Sequence, residues 1–438
     1  MTNHLKYYKE HPVFDEYTCF DYKTGMLRPV KKQEFDNVLL KPKQKNRDTV
    51  KGIERYDGKN FTLFNSPSNQ YRTQFPRRIY FQITRNCNLS CSYCFLKSRQ
   101  GLPHVPTNDI LRMLSFLGKN GLIEIRLTGG EPTTHPDFFK IIDACQENGI
   151  YVSIATNGLL NKKILDGIIE RKHLWLICSI DGNRETHNQY RPGTFDRIIW
   201  NLHYLKSNNP ELRLRLTTVL TKKNQNQIRN IAKLVRDLDA ESATFIPLRP
   251  QVRSSSILED ILTHDEFKKS ISEIVKCIED FNVQLTTTLA INNESKIFKD
   301  PIARKKSACA AGREATNLDY DAENNNFLVY GCSYSPASDH EALSVIRQPF
   351  IAGKFNAKNV EDFYTIWQAD KAWQIYRDNS FKSDECKTCS YYEDNLCVGS
   401  CPIQNINYTD INVGTDVLSQ LKAQLTQTAE WYCYKHLI

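Results

Sequence analysis

Apolar and polar positions follow two rhythms along this chain. From residue 77 onward, short runs rich in β-branched and aromatic residues read as strands: RRIYFQIT (77–84), EIRLTGG (124–130), YVSIATNG (151–158), LWLICSIDG (174–182), LRLRLTTVL (212–220) and ATFIPL (243–248). Between them, helical periodicity runs through 108–121, 136–149, 161–170, 195–206 and 225–238, the first two closing on glycine. Residues 264–281 form a further predicted helix, with Asp265 and Glu266 suited to its first turn. Six strand–helix units predict an α/β fold with a parallel sheet. Right-handed crossovers wind such units into a barrel or an open sheet. Six units are too few for the closed eightfold form, so the expectation is a partial (β/α)6 TIM-like barrel with ligands at the C-terminal ends of its strands.

The flanks lack this rhythm. Turn formers and charges interrupt residues 1–75, which predicts an irregular N-terminal cap. After about residue 300, turns, Asn, Gly and cysteines dominate. That predicts a small loop-rich domain with too little apolar core to stand alone, stapled by metal. The expected division is a cap over 1–75, a core over 76–300 and a cysteine-bearing domain over 301–438.

Composition adjusts the picture. With 438 residues, 40% hydrophobic and 25% charged, the chain is long enough for two or three packed domains and is not a disordered polymer. No run of about 18 apolar residues suits a membrane span, and the N-terminus lacks the apolar core of a secretory signal. The expected compartment is the cytoplasm, with no membrane partner. The net charge is +8, and residues 1–75 hold 14 Lys/Arg against 9 Asp/Glu. Such a surface is either simply solvated or a dock for an acidic partner.

Fourteen cysteines are the informative count. In a reducing compartment, clustered cysteines bind metal or do chemistry. Cys87, Cys91 and Cys94 lie within eight residues, directly after the first predicted strand. A structural zinc site would want a fourth ligand, and no Cys or His follows before His104. Three thiolates on a four-iron cubane leave one iron open, as a reactive cluster needs. Cys19, Cys145, Cys178 and Cys277 stand alone and read as small buried hydrophobes.

The C-x3-C-x2-C loop resembles that of radical S-adenosylmethionine (SAM) enzymes. The resemblance implies a 4Fe–4S cluster on Cys87, Cys91 and Cys94, the catalytic center, whose open iron binds SAM. Reductive cleavage then gives a 5′-deoxyadenosyl radical that abstracts hydrogen from substrate. The same resemblance assigns cofactor contacts to Tyr93, before the third cysteine, and to Thr128, Gly129, Gly130 and Glu131 on the second strand end. It extends to Asn157 on the third, to Ser179 and Asp181 on the fourth with Arg191 twelve residues after the serine, and to Leu248 on the sixth. His187 reads as a residue that orients the Asp181 loop.

Cys386, Cys389, Cys397, Cys401 and Cys433, with Cys309 and Cys332 upstream, read from spacing alone as two zinc sites or as cluster ligands. Beside the first loop they resemble the SPASM extension, although the gap between Cys389 and Cys397 is longer than is usual. That resemblance implies two auxiliary 4Fe–4S clusters. Cys386, Cys389, Cys397 and Cys433 would hold the outer one; Cys309, Cys332 and Cys401 would hold the inner one. Relatives that make formylglycine carry an Asp after the inner-cluster cysteine, where this chain has Ser333. Residues 1–75 lack the helical periodicity of a peptide-binding winged helix. The expected function is radical modification of a peptide or protein residue, by crosslink, thioether or epimer formation. The alternative is a dehydrogenase or tailoring enzyme acting on a small molecule such as a sugar or antibiotic precursor. Either needs a reducing partner such as flavodoxin or ferredoxin, and nucleic acid is not favored as a partner.

Overall fold

The computed structural model describes residues 6–10, 17–21, 26–30, 54–56, 73–94, 96, 98–248, 258–287, 310–334, 345–393, 401, 403, 406 and 410–427. In the N-terminal region, expected as an irregular cap, the described residues include a small sheet. Strands β1 (Lys6–Glu10), β2 (Tyr17–Asp21), β3 (Met26–Val30) and β4 (Glu54–Tyr56) form an antiparallel sheet in the order β3-β2-β1-β4. These strands are only three to five residues long. Alternation over so short a run is weak, and backbone pairing supplied what the side-chain pattern did not show.

The six predicted strands are all present: β5 (Arg78–Thr84), β6 (Glu124–Gly129), β7 (Tyr151–Thr156), β8 (Leu174–Ser179), β9 (Arg213–Leu220) and β10 (Ser242–Pro247). Each pairs in parallel with the next. The connecting helices are α1 (Thr107–Lys119), α2 (Phe138–Glu147), α3 (Lys162–Ile169), α4 (Arg184–Tyr190), α5 (Phe195–Asn208) and α6 (Ile228–Asp237). Sequence periodicity missed α4, which is only seven residues long. Helix α7 (His264–Phe281) starts on a capping box in which Thr263 and Glu266 satisfy each other's backbone.

On β5 the alternation sends Ile79, Phe81 and Ile83 into the main core, while Tyr80, Gln82 and Thr84 fall on the opposite face. The core continues through Ile110, Leu114 and Leu117 of α1 and Ile141, Ile142 and Cys145 of α2, on the helix face that meets the sheet.

The sheet extends beyond the six units. Strand β11 (Leu285–Thr287) adds in parallel beside β10. At the other edge, β12 (Ala315–Asp321) pairs in parallel with β5. Strands β13 (Asn326–Tyr330) and β14 (Ile351–Asn356) follow antiparallel. The result is a ten-stranded mixed sheet, to which residues beyond 300 contribute three strands. Helices Asp362–Gln368, Gln374–Arg377, Asp384–Lys387 and Val417–Gln427 make up the more irregular C-terminal region.

A buried ion cluster seals the β5–β12 seam. Asp319 Oδ2 accepts from Arg85 Nη2 at 2.5 Å and from Arg347 Nη2 at 2.9 Å. Burial pushes the Asp319 carboxyl up, but the two guanidiniums outweigh it and hold the group below its ordinary range. A depressed acid contributes stability above its unfolded pKa and loses it as pH falls through the folded value. Asp319→Asn is expected to cost about 3–5 kcal/mol at neutral pH, because it removes the buried counter-charge shared by two guanidiniums. The variant should also lose less stability than the parent on acidification below about pH 4. Urea unfolding of both proteins across pH checks this.

Candidate active site

The C-terminal ends of the parallel strands surround a cavity of about 290 Å³. Its wall takes Cys87, Cys91 and Cys94 from the loop after β5, and Thr128, Gly129 and Gly130 from the end of β6. Thr156 and Asn157 follow from β7, and Ser179 from β8. Val219 and Leu248 come from β9 and the end of β10, with Arg191 and Tyr93 beside them. Most of the residues singled out in the sequence therefore meet at one place.

The first thiol depends on a close backbone crossing. Gly130 N donates to Thr84 O, and Glu131 N to Asn86 O, both at 2.9 Å. A Cβ on Gly129 would stand 2.1 Å from Thr84 O, and one on Gly130 would stand 2.3 Å from Asn86 O. Gly129 also has a φ of +133°, a conformation that costs a side chain dearly. The two glycines thus admit the backbone that leads into the cysteine loop, at the same turn that lines the cavity.

Glu131 follows directly on this turn. It does not line the cavity. Its carboxylate is fully buried and accepts from Thr133 N (3.2 Å), Thr133 Oγ1 (2.7 Å), Thr156 Oγ1 (2.9 Å) and Asn157 N (2.7 Å). Burial pushes its pKa up, and these hydrogen bonds partly offset the shift. Glu131 therefore sets the turn after β7. That turn aims Asn157 Nδ2 at Asn88 Oδ1 (2.7 Å), with Cys87 Sγ 4.0 Å away.

Asp181 is placed similarly. It too lies off the cavity wall, where it pairs with Arg191 at 2.8 Å and accepts the Tyr93 hydroxyl at 2.5 Å. Its amide donates to His187 Nδ1 at 3.2 Å. Burial lowers the His187 pKa to about 4, so the ring is neutral at pH 7. With Nδ1 accepting, Nε2 carries the proton and donates to Thr194 Oγ1 at 3.1 Å. His187 thus orients the Asp181 turn.

Burial pushes the Cys87 thiol up to about 11, against a hydrogen bond from Leu89 N, and burial also raises Cys91. Metal binding here must displace a proton. Among the described residues no three His, Cys, Asp or Glu side chains converge on a point that would hold one metal ion. The three thiols instead share the wall of a cavity.

Sequence reasoning missed Gln82, Ser98, Thr217 and Tyr334, which also line the cavity. The period-two pattern of β5 carried a signal for Gln82, since a polar residue sits opposite Phe81 on a sheet with helices outside. Gln82 Nε2 donates to Tyr330 Oη at 2.7 Å, which links the cavity to β13.

The C-terminal cysteines are described in part. Cys309, Cys397 and Cys433 lie outside the described residues. Cys386 and Cys389 share one tight turn, with Cys389 N donating to Cys386 O at 3.2 Å and Ser383 Oγ capping Cys386 N. Cys332 and Cys401 pack against the main core. Gly331, just before Cys332, lies against the Tyr376 ring, where a Cβ would come within 2.7 Å. Gly312 approaches the same side chain, with a Cβ contact of 2.8 Å.

Comparison with known proteins follows the same lines. Residues 81–235 match the radical SAM superfamily model. The AdoMet-dependent heme synthase of Methanosarcina barkeri is 25% identical over 75% of this chain and 91% of its own length. The Bacillus subtilis antilisterial bacteriocin subtilosin biosynthesis protein AlbA is 23% identical over 79% of this chain and 71% of its own. The crystal structure of Streptococcus suis SuiB bound to precursor peptide SuiA superposes with a TM-score of 0.64 at 15% identity, covering 92% of this chain and 95% of SuiB. At that identity the likeness is one of fold.

Gly130→Ala is expected to force Asn86 and the cysteine loop apart and to abolish iron binding at Cys87, Cys91 and Cys94 while the chain stays folded. Glu131→Gln turns a donor toward donors and is expected to cost about 1–3 kcal/mol. Iron content and thermal unfolding of the two variants check both outcomes.

Proposed function

We propose that this chain, which belongs to the radical SAM superfamily and carries a SPASM-type extension, cleaves S-adenosylmethionine reductively and uses the resulting 5′-deoxyadenosyl radical to modify a peptide. The observation that carries the reading is the convergence of Cys87, Cys91, Cys94, Gly129, Gly130, Asn157, Ser179 and Leu248 on one cavity at the strand ends.

A 4Fe–4S cluster bound there would supply the electron and the open iron site that SAM cleavage requires. The chain's own residues do the rest. Cys87, Cys91 and Cys94 would hold the cluster, and Asn157 and the Gly129–Gly130 turn bound the space beside it. Ile177, Val219, Ile246 and Leu248 make much of the remaining wall apolar. An apolar wall keeps water from a reactive carbon radical. Ser333 and Tyr334, which follow Cys332, complete the wall from the C-terminal region.

The auxiliary cysteines Cys309, Cys332, Cys386, Cys389, Cys397, Cys401 and Cys433 are proposed to hold two further 4Fe–4S clusters on a partial-barrel core. The placement of Cys386 with Cys389, and of Cys332 and Cys401 against the core, supports this. Peptide modification is favored by likeness to AlbA, a bacteriocin biosynthesis protein, and by the fold shared with SuiB, whose structure contains a precursor peptide. Among the described residues, β3 and β4 are the edges of the antiparallel sheet, the kind of edge to which an extended peptide can add. A small-molecule substrate is the second reading, since the heme synthase of M. barkeri is also similar. Electrons are proposed to come from a flavodoxin or ferredoxin. Among the described residues no helix is long and apolar enough to cross a membrane.

The anaerobically reconstituted protein is expected to hold about twelve irons per chain if all three sites carry 4Fe–4S clusters. With SAM and dithionite it should release 5′-deoxyadenosine. Replacing Cys87, Cys91 and Cys94 together by Ala should abolish that product and leave about eight irons. Normal 5′-deoxyadenosine from the triple variant, or a zinc-loaded, iron-free protein, overturns the proposal.

A further inference from the structure

The Arg191 guanidinium is turned into the protein. Nε donates to Asp181 Oδ2 at 2.8 Å and to the Tyr93 oxygen at 3.0 Å, and Nη2 donates to the same oxygen at 2.6 Å. The Tyr93 hydroxyl donates to Asp181 Oδ2 at 2.5 Å. A phenol has one hydrogen to donate and two lone pairs to accept with, so this hydroxyl is saturated. Asp181 Oδ1 accepts from Val219 N at 3.1 Å. Thr194 Oγ1 closes the ring by donating to Arg191 O at 2.8 Å. Tyr93, Asp181 and Arg191 are all more than nine-tenths buried.

Through the phenol these contacts reach the cysteine loop. Tyr93 lies between Cys91 and Cys94, in a turn outside any strand or helix. Within the turn, Cys94 N donates to Cys91 O at 3.1 Å. Ser92 N adds a longer bond to Tyr190 O at 3.4 Å, and the Tyr93 and Tyr190 rings pack with centroids 5.2 Å apart.

We infer that Asp181 and Arg191 are positioning residues that act through the Tyr93 hydroxyl to hold the turn bearing Cys91 and Cys94 ready for iron. Two considerations carry this. The edge of the Arg191 fork formed by Nε and Nη2 is already occupied, so an outside carboxylate meets only its end. A turn without secondary structure costs conformational entropy to order, and a buried, charge-assisted network is a strong means of ordering it. The far half of the loop has its own anchor, because Asn157 and Asn86 hold the segment around Cys87. The two halves are thus secured by separate networks.

The inference rests on the radical SAM reading for the identity of the metal but not for the existence of the clamp, and the test separates the two. In the iron-free full-length chain, per-residue alkylation by iodoacetamide is followed by mass spectrometry for the parent, Tyr93→Phe and Asp181→Asn. Cys91 and Cys94 are expected to label at least threefold faster in both variants, with Cys87 and Cys389 unchanged. In the reconstituted holoenzyme, a chelator should remove about four irons at least fivefold faster from both variants and leave the remaining iron at the parent rate. The paramagnetic signal that SAM perturbs should fall in parallel. Unchanged labeling of Cys91 and Cys94 overturns the inference, as does faster labeling of every cysteine, which would mark general unfolding. Arg191→Lys is expected to behave like Tyr93→Phe. If it keeps its iron at the parent rate but binds SAM tenfold more weakly, Arg191 is a direct SAM ligand and the clamp is overturned. A parent that shows no SAM-perturbed signal refutes the radical SAM reading, while the labeling still decides the clamp.

Discussion

The site depends on a crossing of two backbones. The end of β5 runs against the Gly129–Gly130 turn so closely that a single Cβ at either glycine would stand within 2.3 Å of a carbonyl oxygen. That contact fixes where the chain leaves the sheet and therefore where Cys87 begins its loop. It also presents the Glu131 carboxylate to the turn after β7, so a second strand end is set by the same few atoms. Gly129 and Gly130 are at once structural and part of the cavity wall. A glycine pair serves both purposes because it removes the side chain that would otherwise separate the strands.

Charge around the cavity is handled by pairing groups behind the wall. Glu131 is ringed by four hydrogen-bond donors. Asp181 is shared between Arg191 and Tyr93. A buried carboxylate without such partners would shift its pKa or destabilize the fold. Among the described residues the wall carries no carboxylate: thiols, glycines, hydroxyls, amides and aliphatic side chains line it, and its one guanidinium, Arg191, is paired with Asp181 behind it. That division suits radical chemistry, in which the protein must exclude water and hold groups in place more than it must transfer protons. The C-terminal region is tied to the same sheet through the β5–β12 pairing, and Ser333 and Tyr334 reach the cavity from it. Where that region places Tyr334 therefore helps set the shape of the space offered to substrate.

Local patterns determined a good deal. The alternation of short apolar runs with helical periods placed six parallel strands to within a few residues, because one-sided burial imposes a period that propensity alone does not. The spacing of Cys87, Cys91 and Cys94, the Gly129–Gly130 pair and the S-x-D-G run likewise marked the strand ends that line the cavity. All of these are signals a few residues long. Strands β1–β4, β11 and β13 escaped because they are only three to five residues long, and β12 because it joins the sheet by pairing across long sequence separation, as when Ala315 meets Arg78. Tertiary structure alone decided which way each polar side chain faces. Glu131 and Asp181 carry hydrogen-bond networks behind the wall, and Gln82, which reads as one more strand residue, lines the cavity. The reason is geometric: a residue's neighbors along the chain fix its place on a strand or turn, but its hydrogen-bond partners come from segments dozens of residues away, and only folding brings them within reach.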